Sequence, residues 1–136
     1  MIEKIESGDE VLALIVRANY GSEGVAFVTP EDNPLQLGIL IHRSGAKIRP
    51  HVHKESSRVV NEVQEVLHVE YGAVEAEIYE SSGRIVANVV LNSGDTILLL
   101  SGGHGFNILE DSRIIEVKQG PYVNVKEDKS YLEVEG

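Results

Sequence analysis

The sequence predicts an all-β fold, either a sandwich or a barrel. Short runs rich in Val, Ile, Leu and Tyr alternate with Gly, Pro, Asn, Asp and Ser along the 136 residues, which is typical of a chain with many short strands. Helical periodicity is scarce, and its best example, Glu55–Glu65, contains three valines and two serines that disfavour a helix. About ten short strands without helices can bury their apolar faces only against one another.

Turn residues separate the predicted strands. Gly72, Gly83 and Gly94 each lie in a short polar segment where a glycine can adopt the positive φ of a hairpin turn. Glu55–Glu65 is predicted to be a loop over the mouth of the fold. The predicted strands are Val11–Ala18, Val25–Thr29, Leu35–Arg43, Lys47–His53, Gln64–Glu70, Ala73–Tyr79, Arg84–Leu91, Asp95–Leu100, Gly105–Glu110 and Arg113–Lys118.

The C-terminal tail starts with a break at Gly120-Pro121. For Lys126-Glu127-Asp128-Lys129 we expect an exposed turn, followed by a short edge strand. Tyr122 and Tyr131 either close over the mouth or pack as ordinary apolar residues, and packing is favoured. No linker or repeat interrupts the chain, so a single domain spanning residues 1–136 is expected.

Composition excludes several classes of function. Twelve basic against 22 acidic residues give a net charge of −10, which disfavours nucleic acid as a partner. The absence of cysteine excludes disulfides and thiolate metal sites. The N-terminal residues lack the basic and apolar regions of a signal peptide, and no apolar run is long enough to span a bilayer. We therefore expect a cytoplasmic protein without a membrane partner.

Two closely spaced histidines are the most informative feature of the sequence. In the predicted strand Lys47–His53, side chains two apart point to one face, so Arg49, His51 and His53 share a face with Lys47. Pro50 lacks a backbone donor and places the strand at an edge. Together with Glu65 and His104, the pair forms a nitrogen and oxygen donor set that suits a divalent transition metal such as iron, manganese, nickel or zinc.

The spacing of these residues resembles the cupin superfamily, whose first motif reads Gly-x5-His-x-His-x3–4-Glu-x6-Gly. Five residues separate Gly45 from His51, and six residues separate Glu65 from Gly72. The resemblance covers most of the chain, from about Leu37 to Lys118. It implies a double-stranded β-helix, the cupin jelly-roll barrel, with His51, His53, Glu65 and His104 as metal ligands.

The chain departs from the first motif between its second histidine and its glutamate. Eleven residues separate His53 from Glu65, so Glu55 and Glu62 are rival ligands. Glu65 is preferred because the strand leading to the Gly72 turn sets its height, and a slip of one residue would turn the carboxylate outward. The additional residues can form a loop at modest entropic cost.

The second family motif, Gly-x5-Pro-x-Gly-x2-His-x3-Asn, matches in part. Gly94, Gly102, His104 and Asn107 are present, but Leu100 stands where proline is usual and one residue is missing on each side of the histidine. His104 is therefore the weakest of the four ligand assignments. The sequence from Gly102 to Tyr122 also resembles small single-domain cupins associated with polysaccharide and sugar-nucleotide metabolism.

Three charged residues are candidate catalytic groups. Arg49 is either a solvated edge charge or a clamp for a substrate anion, since guanidinium binds carboxylate and phosphate in bidentate fashion. Glu116 and Lys118 share one face of a strand, which either faces solvent or lines the cavity and makes them acid–base partners. The solvent-facing alternative is favoured because buried Glu and Lys are rare.

Other residues near the predicted ligands have simpler expected roles. Phe106 is in phase with His104 and is expected to form an apolar wall beside it, whereas Asn107 is expected to bond locally. His42 and His68 are expected to be ordinary surface or core residues, and His68 faces away from the ligand side because it is out of phase with Glu65.

Three hypotheses for the function follow. The first is a metal-dependent enzyme of dioxygenase or isomerase type that acts on a sugar-like or small anionic metabolite, since four protein ligands leave a metal position open. The second is a non-catalytic cupin module that binds a small ligand. The third is a metal-free sugar-nucleotide isomerase that uses a histidine with a tyrosine or glutamate. A homodimer is expected, and Val11–Ala18 could pair across subunits.

Overall fold

The chain divides into two compact units. The computed structural model describes residues 1–122 and 124–134. Unit 1 contains residues 1–20 and the chain from residue 63 onward, and unit 2 contains residues 21–62. No helix in the described part of the chain has the length and apolarity that a membrane span needs.

Unit 1 is a two-layer β-sandwich of antiparallel strands. Its strands are β1 (Ile2–Ser7), β2 (Glu10–Val16), β5 (Glu65–Tyr71), β6 (Ala73–Tyr79), β7 (Ile85–Asn92), β8 (Thr96–Leu99), β9 (Gly103–Ile108) and β10 (Arg113–Lys118). One sheet has five strands in the order β1-β2-β8-β5-β10, and the other has three in the order β7-β6-β9. Both sheets are open rather than closed into a barrel.

The two sheets of unit 1 share one hydrophobic core. On β5, Leu67 and Val69 are buried, and the directly opposite residue Ile97 of β8 continues the same apolar face. From the three-stranded sheet, Ala76 and Ile78 of β6 pack against this face. Alternation along each strand therefore decides which side chains point between the sheets, and it fixes the inner face on which the candidate site lies.

Two turns close the sandwich at the ends of its strands. Gly72 has φ 97° between β5 and β6, and a Cβ there would lie 2.2 Å from Ser112 Oγ, so this turn requires glycine. The second turn joins β7 to β8. There the buried Asp95 carboxylate accepts hydrogen bonds from the backbone N–H of Ala18 at 2.9 Å and of Asn92 at 2.8 Å.

Unit 2 consists of a two-stranded hairpin and a long loop. Its strands β3 (Gly24–Phe27) and β4 (Gly38–Ile41) are antiparallel, with Gly24 opposite Ile41. Thr29 and Gln36 stabilise the connection, since Thr29 Oγ1 donates to Gln36 Oε1 at 3.0 Å. Residues 42–62 form no helix or strand.

The all-β prediction is confirmed, and most predicted strands are present with small shifts at their ends. The predicted strand Lys47–His53 is wrong. Its side chains do alternate in the sequence, but Pro50 cannot donate a hydrogen bond to a neighbouring strand. Residues 47–53 pair with no strand in the described part of the chain. Of the loop predicted for Glu55–Glu65, residues 55–64 form no helix or strand, and Glu65 instead begins β5.

The ends of the chain differ from the prediction. β1 was not predicted, because its charged residues obscured an alternating pattern in which Ile5 enters the core. The tail contains one helical turn, α1 (Val125–Asp128), and residues 129–134 form no strand. Both neighbours of β2 in its sheet, β1 and β8, belong to the same chain, and the suggested pairing of this strand across subunits stays a prediction.

Candidate functional site

Three charged side chains meet on the inner face of the five-stranded sheet of unit 1. Glu65 is the first residue of β5, and Lys118, the last residue of β10, lies directly opposite it. Glu116 lies opposite the core residue Leu67. Because directly opposite residues in a ladder point to the same face, Glu116 and Lys118 point between the sheets. Both residues line the cavity described below, which was the less favoured alternative, and Glu116 nevertheless remains exposed.

His104 reaches the same place from the other sheet. It is the second residue of β9, opposite the buried Ile78, so its ring points inward. His104 Nε2 lies 3.3 Å from Glu65 Oε1, and the centroid of the Phe106 ring is 5.8 Å from that of His104. Two of the four predicted ligands, Glu65 and His104, are thus in contact, and Phe106 flanks the histidine as predicted.

These side chains line a cavity at one end of the sandwich. Its volume is about 550 Å³, a size suited to a small metabolite. Apolar side chains form the walls around the charged group, and the C-terminal tail supplies one side. The lining residues are Val63, Glu65, Leu67, Gly102, Gly103, His104, Phe106, Glu116, Lys118, Asp128, Lys129, Ser130, Tyr131 and Leu132.

The two glutamates of the cavity differ in their affinity for a proton. The hydrogen bond from His104 lowers the pKa of Glu65, and a hydrogen bond with Glu116 acts in the same direction. Burial raises the pKa of Glu116, and its contact with Glu65 raises it further. Glu65 is therefore the carboxylate of the pair, and Glu116 retains its proton to higher pH than an ordinary glutamate.

Lys118 is one of two lysines that line the cavity, and the other is Lys129. Lys118 Nζ lies 3.0 Å from Asp128 Oδ2 and 5.2 Å from the centroid of the Tyr122 ring. The hydrogen bond to Asp128 raises the pKa of Lys118, and the nearby Glu65 and Glu116 act in the same direction. A lysine, a histidine and two glutamates whose pKa values are shifted in opposite directions thus line one small cavity.

The remaining predicted site residues lie in unit 2. The rings of His51 and His53 are 5.3 Å apart at an angle of 72°, and both side chains are exposed. His51 Nδ1 lies 2.7 Å from the backbone carbonyl of Arg49, whose side chain is also exposed. The two histidines are therefore adjacent without the predicted strand.

The donor chemistry of these residues fits a divalent transition metal. In neither unit do the described residues form a group of three or more His, Asp or Glu side chains that could hold an ion. However, the bond of His51 Nδ1 to a carbonyl leaves Nε2 for a metal, which is the usual arrangement of a metal-bound histidine. The rival ligands Glu55 and Glu62 are exposed residues of the loop in unit 2.

Two other predicted roles can be compared with the structure. His68 points to the outer face of its sheet, where Nδ1 lies 2.8 Å from Thr96 Oγ1, as its phase relative to Glu65 predicts. Asn107 donates to Glu75 Oε1 at 3.2 Å on the adjacent strand β6, so it bonds across the sheet rather than within its own turn.

Sequence reasoning missed Asp128 as a residue of the cavity. Its carboxylate was assigned to an exposed turn, yet its side chain is only 12% exposed. Tyr131 lines the cavity as well, which agrees with the less favoured of the two alternatives for this residue. The available signal is the acidic pair Glu127-Asp128 between two lysines, shortly after Gly120-Pro121. Such a pattern is compatible with many positions in a fold.

Comparisons with known proteins do not identify a relative. No protein-family model matched the chain, and neither the curated proteins nor the solved structures yielded a detectable similarity. The resemblance to cupins therefore depends on the residues themselves.

Proposed function

We propose that this protein is a small-molecule enzyme of isomerase type, which moves protons on a polar metabolite bound in the cavity of unit 1. The observation that carries the proposal is the contact of His104 with Glu65 in a cavity that also contains Glu116 and Lys118. Groups whose surroundings shift their pKa values in opposite directions are typical of acid–base sites.

Each group has a distinct role in such a reaction. Glu65 accepts a hydrogen bond from His104 and thereby fixes the tautomer of the ring, as a carboxylate does for a catalytic histidine. In its neutral form, His104 removes a proton from a carbon next to the substrate carbonyl. Glu116, whose raised pKa suits a general acid, gives a proton to the carbonyl oxygen, which produces an enediol.

The reaction is completed by returning the protons. The protonated imidazole delivers its proton to the neighbouring carbon, and Glu116 recovers one from the hydroxyl that becomes the new carbonyl. The Lys118 ammonium group stabilises negative charge on the oxygens while the protons move. No redox partner is needed, and both catalytic groups return to their starting states.

The family proposal is that residues 1–136 form a single cupin jelly-roll domain. It is supported by the spacing of Gly45, His51, His53, Glu65 and Gly72, and by two antiparallel sheets around one core. A sugar-like substrate is the corresponding proposal for the ligand, because the sequence around His104 resembles cupins of carbohydrate metabolism. The expected homodimer belongs to the same proposal.

A metal-dependent enzyme is the second candidate. It is favoured by the adjacent rings of His51 and His53 and by the fixed Nδ1 of His51. In that case His51, His53, Glu65 and His104 would hold iron, manganese, nickel or zinc. The ion would supply Lewis-acid polarisation of a substrate oxygen or, if redox-active, oxygen chemistry. Elemental analysis of the purified protein separates this candidate from a metal-free site.

Exchange of substrate protons with D₂O tests the first proposal directly. We expect the protein to catalyse deuterium incorporation next to the carbonyl of at least one member of a panel of aldoses, ketoses and their phosphates, as measured by NMR. His104→Gln and Glu116→Gln should each slow the exchange by about a hundredfold or more. Glu10→Gln removes one exposed carboxylate of β2 and serves as the control.

Two outcomes would contradict the proposal. One is exchange in His104→Gln at the rate of the Glu10→Gln control, which would exclude the assigned base. The other is a panel member that binds to the cavity without any exchange, which would support a non-catalytic binding module instead.

A further inference from the structure

We infer that the C-terminal segment 128–132 is a strap over the cavity, and that the Asp128 carboxylate occupies the place that an anionic group of the substrate takes on Lys118. The inference rests on the proposed function for the identity of the cavity. It adds the class of substrate, a metabolite with a phosphate or carboxylate group, and a means of closing the site.

The tail that contains the strap packs closely against two glycines, Gly103 and Gly83. A Cβ at Gly103 would lie 2.6 Å from Leu132 Cδ2, so the absence of a side chain at residue 103 makes room for Leu132. A Cβ at Gly83 would lie 2.1 Å from the carbonyl oxygen of Glu133. Two glycines on different elements thus accommodate the same stretch of tail.

The contacts that hold the strap are nevertheless limited. Leu132 is 36% exposed and Tyr131 is 87% exposed, so little apolar area fastens the segment. Segments with few buried contacts open at low free energy. The strap is therefore suited to open and admit a ligand, whereas the strands on the other sides of the cavity are not.

The charges in the cavity indicate which substrate group would take the place of the Asp128 carboxylate. Lys118 is held on β10 with Glu65 directly opposite it, and neither residue belongs to the strap. Asp128 is the strap's own anion on Lys118, at 3.0 Å and with a side chain only 12% exposed. A ligand anion can compete with this single carboxylate for the Lys118 ammonium group and displace it.

The location of Lys118 makes this exchange useful to the proposed chemistry. A phosphate or carboxylate on Lys118 would fix one end of a substrate in the cavity that contains His104 and Glu116. The overall charge of −10 repels anions, so a local cation is needed to bind one. The same step would release Asp128 and couple ligand binding to movement of the strap.

Binding of inorganic phosphate tests the inference at equilibrium. Asp128→Asn should bind phosphate about fivefold more tightly than the wild type in calorimetric or NMR titrations, because the competing carboxylate is gone. Asp111→Asn removes the same charge from an exposed position and should bind like the wild type. Lys118→Gln should lose the binding. Equal affinities of Asp128→Asn and Asp111→Asn, or wild-type affinity in Lys118→Gln, would overturn the inference.

Hydrogen exchange provides a second readout that does not depend on a variant. Phosphate should accelerate amide exchange in peptides that cover residues 128–134 and leave β6 unchanged. Unchanged exchange in the strap at saturating phosphate would show that the anion binds without displacing Asp128, and would overturn the inference. Because neither measurement requires turnover, their failure is distinct from failure of the deuterium assay, which tests the proposed function.

Discussion

At the scale of single residues, Glu80 links the β6–β7 turn to the N-terminal hairpin. Its carboxylate accepts hydrogen bonds from Arg84 Nη2 at 2.5 Å and from Ser82 Oγ at 3.2 Å, and it also contacts Ser7 Oγ. These bonds, chiefly the one from Arg84, lower the pKa of Glu80 to about 2. The residue is thus well suited to a test of electrostatic stabilisation by pH.

We expect the contribution of Glu80 to stability to be lost in acid. The folded-state pKa of Glu80 lies below its unfolded value of about 4.3, so the contribution is full above that pH and disappears as the pH falls through about 2. Arg84→Ala should be less stable than the wild type at pH 6, and the difference should shrink towards pH 2. Carboxyl NMR titration should show a higher Glu80 pKa in Arg84→Ala and an unchanged one in Arg43→Ala. An unchanged Glu80 pKa in Arg84→Ala would contradict the assignment.

At the scale of structural elements, Asp95 joins the end of β2 to the turn before β8. Its side chain is 7% exposed, and besides two backbone N–H groups it accepts a hydrogen bond from Arg17 Nη1 at 3.0 Å. Arg17 in turn donates to Glu3 Oε1 of β1 at 3.2 Å. One carboxylate therefore organises three neighbouring segments of the five-stranded sheet.

Asp95→Ala is expected to lower the free energy of unfolding by about 2–3 kcal/mol, because it removes charge-assisted bonds and leaves two N–H donors and Arg17 without their acceptor. Urea unfolding measures the change. Asp111→Ala, at an exposed position, should stay within about 0.5 kcal/mol of the wild type. A loss at Asp95 as small as that of Asp111→Ala would show that the network contributes no net stability.

At the scale of the whole molecule, local periodicity predicted far more of unit 1 than of unit 2. Alternation placed Glu65 and His104 on inner faces because both belong to strands with core residues two positions away, such as Leu67 and Phe106. The same kind of alternation gave a wrong prediction for residues 47–53, because alternating side chains form a strand only where a neighbouring strand is available to pair with. Asp128 could not be predicted because its place depends on a tail that returns to distant strands, which no local pattern encodes.

The base rates of burial also misled the sequence interpretation of Glu116 and Lys118. Isolated buried charges are rare, which favoured a solvent-facing strand. The structure instead places both residues at a cavity, where Glu116 remains exposed beside Glu65 and Lys118 pairs with Asp128. Rules for single residues cannot detect such partners when they are 10 to 51 residues away in the sequence.

The metal hypothesis makes its own prediction for the whole protein. If one ion binds the four predicted ligands, it stabilises the folded chain by linkage, so His51→Ala and His53→Ala should each lower both metal content and Tm. His42→Ala is the control, since it removes an exposed imidazole that was not assigned to the site. Metal should also be released on acidification, because protons compete with the ion for its ligands. Elemental analysis and thermal unfolding with and without a chelator measure these effects. Equal metal content and Tm in His51→Ala, His53→Ala and the control would contradict the metal hypothesis without contradicting the proposed acid–base chemistry of unit 1, because that proposal requires no ion.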